Sequence, residues 1–170
     1  EVQLRRGEAL SGLAKGAALD AGDVVLTGVD GRAQIRFTDG GLVGLYPGSQ
    51  FTVRRYADGA GSTEDHFVVH LLRGGMRAVT GLIGKRNPSQ YKVITPTAVV
   101  GIRGSAFLLA IDANGQVLVS GEQDEIEVCT QAGCVSVRSG QTVRVMTEQD
   151  LPIYVDSRAL LPVPQAPTPH

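Results

Sequence analysis

Two cysteines, a run of cations and a glycine-bounded arginine are the residues of this chain whose types and spacing could do chemistry. Cys129 and Cys134 stand in Val-Cys-Thr-Gln-Ala-Gly-Cys-Val, two β-branched flanks around a glycine-containing tip. That pattern is a hairpin and sets the two side chains opposite one another, so a disulfide forms if the paired Cα atoms lie near about 5.5 Å. A loop this short gains only about 2 kcal/mol from the cross-link. The alternatives are two free thiols or half of a metal site. The metal reading is short of ligands, because there is no second cysteine pair and the three histidines lie elsewhere.

From His66 through Ile111 there is no Asp or Glu, whereas Arg73, Arg77, Lys85, Arg86, Lys92 and Arg103 all fall there. If strand alternation sends most of them to one face, the patch attracts carboxylates, phosphates or sulfates. Arginine forks grip such groups bidentately. Lys85, Arg86, Arg73, Arg77 and Lys92, with Tyr91 beside them, are the candidate binding residues. An acidic protein surface, an acidic glycan or a lipid head group is the kind of partner they fit. The competing expectation is that acidic residues of 20–39 and 122–127 neutralise the patch from neighbouring strands. A glycan groove would also need aromatic side chains, for which Tyr46, Tyr56 and Tyr91 are the candidates.

Arg103, between Gly101 and Gly104, reads as structural: the glycines permit close approach or positive φ, and the guanidinium then bonds exposed carbonyls at a bend. Pro96 in Thr95-Pro96-Thr97 has a similar role, since it offers no ladder donor and the threonines satisfy local backbone groups. No catalytic set emerges. Ser105 lacks a nucleophile-elbow context. His66 and His70, four apart on a strand, would be about 13 Å apart, too far for one metal ion. Asp124 and Glu125, as neighbours on a strand, face opposite sides. No phosphate or dinucleotide loop is present, so neither enzyme activity nor a cofactor is expected. A near-neutral charge of −1 and 5% aromatic residues also disfavour nucleic acid.

These residues need elements to hold them, and the composition limits the choice. The 170 residues, 42% hydrophobic and 19% charged, suit one globular domain. Twenty-two glycines and eight prolines leave no stretch free of both longer than the twelve residues 62–73, which excludes long helices. No apolar run approaches a membrane span. The chain opens at Glu1 and is read as a mature or trimmed piece, so a missing export signal is no argument for a cytosolic origin.

Turn signals recur at Asp30-Gly31, Asp39-Gly40-Gly41, Asp58-Gly59, Asn114-Gly115, Ala132-Gly133 and Ser139-Gly140, with short β-rich runs between them. Ala33, Ile35 and Phe37 alternate with Arg32, Gln34 and Arg36, and Phe51 and Val53 point inward in the same way. The run 66–72 is apolar on both faces, predicting cover on both sides. Some twelve to fourteen strands are expected, in a sandwich, barrel or stacked coil. A folded domain over 1–151 would be followed by a proline-rich tail or linker over 152–170, and 146–151 could hold one helical turn.

Several motifs occur in a telling order: 22–28 (GDVVLTG), 31–40 (GRAQIRFTDG) with Leu45 and Ser49, 71–75 (LLRGG), then 85–107 (KRNPSQYKVITPTAVVGIRGSAF), Gly121, and 135–141 around Ser139-Gly140-Gln141. Together they resemble the FecR domain over roughly residues 2–145. The resemblance implies an all-β module, a twisted solenoid-like or double-sheet fold, in the bacterial periplasm or secreted. It implies a non-enzymatic binding, scaffold or sensor part that engages another envelope protein. In the signalling members such a domain follows a sigma-factor-binding segment and a membrane helix and communicates with a TonB-dependent receptor. The insertion 83–88 is more similar to exported, standalone members, so the sigma-regulator role stands as an alternative, beside acidic glycan or cell-wall binding through 73–103.

Overall fold

A computed structural model describes residues 1–60, 63–102 and 106–155. Turns fall at the glycine signals and cut the chain into fifteen strands, slightly more than expected. The N-terminal part forms β1 (Val2–Arg6), β2 (Ala9–Gly12), β3 (Val24–Thr27), β4 (Ala33–Arg36), β5 (Leu42–Leu45) and β6 (Gln50–Ala57). A 14-residue strand, β7 (His66–Val79), is followed by one short helix, α1 (Leu82–Arg86), and a 3-10 turn over Pro88–Gln90. Then come β8 (Tyr91–Ile94), β9 (Val99–Ile102), β10 (Ala106–Ile111), β11 (Val117–Gln123), β12 (Glu125–Thr130), β13 (Gly133–Arg138), β14 (Thr142–Val145) and β15 (Ile153–Val155).

The strands make two sheets that share β7. In the first, the order is β2-β1-β3-β6-β7-β8-β9-β12-β13. In the second it is β4-β5-β7-β10-β11-β14-β15. The first half of β7 pairs with β6 and β8, the second half with β5 and β10. Between the halves the strand turns at Gly74, whose φ of +88° favours glycine and where a Cβ would lie 2.2 Å from Ser49 Oγ. Ser49 Oγ accepts from Gly75 N at 3.0 Å and donates to the Tyr46 carbonyl at 2.7 Å, clamping the bend. Every named strand pair is antiparallel except β7 with β8, which α1 connects. The all-β expectation holds, and the double-sheet form describes the ladders. No closed coil of a solenoid is present among the described residues.

Alternation explains the core. Phe51, Phe67, Val69, Val93 and Val100 of the first sheet meet Ile35, Val43, Met76, Phe107 and Val119 of the second in one buried cluster. Two sequence expectations change here. The run 66–72 is covered on one side only: Phe67, Val69 and Leu71 are buried, whereas Val68 and His70 are half-exposed and Leu72 is exposed. Its outward positions are apolar without being core. Residues 147–150 form a turn, closed by Asp150 N to the Thr147 carbonyl at 3.2 Å, and not a helical turn. Beyond it β15 pairs with β14 through Val155, past the expected boundary at 151. Pro152 precedes that edge strand, where a missing donor costs nothing. The rest of the expected tail, 156–170, lies outside the described residues.

Candidate functional site

The link from β7 to β8 gathers much of the charge predicted to bind. Asp39, held in the turn after β4, is buried, and its carboxylate accepts from Gly41 N at 2.9 Å and from Ile83 N at 3.1 Å. Its carbonyl accepts from Leu82 N, so it anchors the start of α1. Gly81 is required there, since a Cβ would lie 2.4 Å from Asp39 Oδ1. At the other end of α1, Arg86 reaches Asp58 at 2.6 Å and Asp65 at 3.1 Å. Asp65, fully buried, also accepts from Gly59 N at 2.6 Å and Asn87 Nδ2 at 2.8 Å. The Arg86 hydrogen bond, outweighing the cost of burial, holds the Asp65 carboxyl down at about 2. The same pairing pushes the Arg86 guanidinium up.

The remaining predicted binding residues scatter. Arg77 lies on the outer face of the second sheet, paired with Glu122 at 2.7 Å. That contact is the neutralisation expected from 122–127. Tyr91 is core: 2% exposed, its ring stacked on Phe67 at 4.3 Å, its hydroxyl near Thr80 but without a well-formed hydrogen bond among the described residues and pushed far above the usual tyrosine range by burial. Its place at an inward position of β8 removes it from any surface. Lys85 is exposed on α1, Arg73 is exposed beside the β7 bend, and Lys92 is exposed on β8. The basic segment therefore forms no single patch, because β7 changes sheet and α1 turns a corner within it.

Of the residues read as structural, Pro96 occupies the β8–β9 turn, where Thr95 Oγ1 accepts from Ala98 N at 3.0 Å. Gly101 has neither a positive φ nor a close neighbour; a Cβ there would meet nothing within 4 Å, so that glycine is not conformationally required. Arg103 and Gly104 lie outside the described residues. Cys129 and Cys134 are directly paired on β12 and β13 and joined by a disulfide. Glu127 brings its carboxylate within 4.8 Å of both sulfurs, but sulfurs bonded to each other offer no thiolate to a metal ion.

What the fold does assemble is the outer face of the first sheet. The register sets Arg5, Val24, Thr52, His70, Ile94 and Val99 in one row across β1, β3, β6, β7, β8 and β9. Arg54 lies beside His70, with its Nη1 3.4 Å from His70 Nδ1. Burial, then the charge of Arg54, pushes the His70 pKa down. Arg5, Arg54, Arg73 and Lys92 form no ion pair among the described residues. The sequence reading missed Arg5 and Arg54. Alternation marks both as outward, but only register shows that β1 and β6 lie within two strands of each other.

The family described as FecR protein matches residues 23–127, which run from the start of β3 into β12. The chain belongs to that family. Two crystal structures, each described as a candidate anti-sigma factor from Parabacteroides distasonis, share the fold of this FecR domain. One superposes with a TM-score of 0.59 at 18% identity and the other with 0.60 at 16%. Each overlaps 79% of this chain and 58% of its own, so the chain spans 58% of the length of those relatives. At such identity the likeness is one of fold. No curated protein matches the chain.

Proposed function

We propose that this FecR domain is a non-enzymatic, protein-binding regulatory module of the bacterial envelope, acting outside the cytoplasm in sigma-factor signalling. The observation that carries this reading is family membership across the centre of the fold, from β3 into β12. The open outer face of the first sheet, with cations that form no ion pair among the described residues, agrees with it. The glycan alternative gains less support: Tyr91 is core, and the Tyr56 hydroxyl is occupied by Asp39 N and Thr38, so among the described residues no aromatic-lined groove gathers around the basic segment.

A photo-crosslinking residue at Lys92 in the envelope-localised protein tests the reading. The expected product is a covalent adduct with one envelope or regulator protein. Deletion of the gene should also change transcription from the promoters of a single alternative sigma factor. Unchanged transcription after deletion would discard the signalling role.

A further inference from the structure

We infer that the cleft on the outer face of the first sheet is a carboxylate-binding groove that receives an extended acidic segment of the partner, gripped by Arg5 and Arg54. This rests on the protein-binding reading above. The cleft is a solvent-open depression of about 320 Å³ between β1 and β7, lined by Arg5, Arg54, His70, Gln50 and Leu72 over a floor that includes Val24, with no carboxylate in its lining. Among the described residues three arginines are answered by acids, Arg6 with Asp23 at 2.6 Å, Arg77 with Glu122, and Arg86 with Asp58 and Asp65; Arg5 and Arg54 are not, and they converge on this cleft. Arg5 is adjacent to Arg6 in sequence yet forms no ion pair among the described residues, because alternation turns it to the opposite face.

The row from Arg5 through Val24 and Thr52 to His70 crosses three strand spacings, about 14 Å, the length of roughly four residues of extended chain. A single small anion cannot span it, whereas acidic side chains two to four residues apart can meet both arginines. Leu72, 45% exposed, and half-exposed Val24 add an apolar strip for the intervening side chains. A sheet interior commits its N–H groups to the ladders, leaving no nest of backbone donors for a phosphate, and the guanidinium forks that remain grip planar carboxylates bidentately.

His70 sits against Arg54, a contact in which the imidazole is neutral or an anion separates two cations. Its charged neighbours are Arg54 on β6, Arg5 across β3 and Lys92 on β8; β3 itself presents apolar Val24. A bound carboxylate therefore favours protonated His70, and binding strengthens as pH falls below the ordinary histidine value of about 6.5, toward the lowered pKa of His70 in the free domain.

The test is an NMR titration of the isotopically labelled domain with a tetraglutamate peptide at low salt, above and below that pH. Shifts confined to β1, β6 and β7 are expected. Arg54→Ala and Arg5→Ala should each weaken binding about tenfold, Lys85→Ala should leave it unchanged, and His70→Ala should remove its pH dependence. Equal shifts with tetraglutamine, displacement by inorganic phosphate as readily as by peptide, full affinity in Arg54→Ala, or no binding at all would each overturn the groove. If Arg5→Ala/Arg54→Ala abolishes peptide binding but the Lys92 adduct persists, the groove fails as the partner site and the proposed function survives. Peptide binding without any adduct or transcriptional change would leave the groove and discard that function.

Discussion

Arg86 and Arg54 are both exposed arginines, and the two regions that hold them use the same guanidinium in opposite ways. At the α1 corner the donors of Arg86, Asn87 and the helix start have destinations, while Lys85 is exposed. Arg86 and Asn87 close on Asp65, and the N–H groups at the start of the helix close on Asp39. On the outer face of the first sheet, Arg54 meets only the ring of His70, and Arg5 and Lys92 form no ion pair among the described residues. The difference teaches that charge in this domain divides by burial of the acid. Where an aspartate is buried it is answered within the chain, Asp65 by Arg86 and Asn87 and Asp39 by backbone N–H groups, and it fixes a loop. Where no acid is near, the cation stays hydrated at little cost and remains available to another molecule.

The comparison breaks most easily at Asp39. Asp39→Ala leaves two buried N–H groups without acceptors and should destabilise the domain by about 3 kcal/mol in chemical denaturation; a loss under half that size would mean the corner is not held by its acids. Next is acid sensitivity. The folded-state pKa of Asp65, about 2, lies below its ordinary 3.8, so its contribution is complete above about pH 4 and is lost as pH falls through about 2. Asp65→Asn should lower the melting temperature at neutral pH and flatten its fall between those limits.

Replacing Cys129 and Cys134 together by Ser should cost about 2 kcal/mol, as should adding reductant to the parent protein. Tyr91→Phe removes a buried hydroxyl that has no partner, although Thr80 with its own unsatisfied hydroxyl lies close by. Its stability should stay level or rise by up to about 1 kcal/mol. Smallest of all, Arg54→Ala should shift stability by less than about 0.5 kcal/mol. A larger loss would show that the open face is structural after all and erase the contrast.

The sequence made the strands legible because their signal is local. Ile35 and Phe51 alternate with polar neighbours, and Asp-Gly and Asn-Gly pairs mark where the chain must turn. The cysteine hairpin was visible for the same reason. The basic segment misled because a contiguous run of charge says nothing about register. Arg77 and Lys92 are close in sequence but belong to opposite sheets, while Arg5 and His70 are far apart in sequence and share one row. Tyr91 reads as a ligand-facing aromatic because it stands among cations, although its two-residue spacing from Val93 places it on the core side. The pairing of Arg86 with Asp58 and Asp65 depends on a return of the chain that no local pattern encodes.

The sharing of β7 leaves the molecule without a seam. Its first half is the central strand of one sheet and its second half an interior strand of the other, with the clamp of Ser49 on Gly75 between them. Neither sheet can be excised, duplicated or exchanged without severing an interior strand of its companion. Opening either one strips the hydrogen-bond partners from a segment on which both depend, so the domain melts as a single cooperative unit.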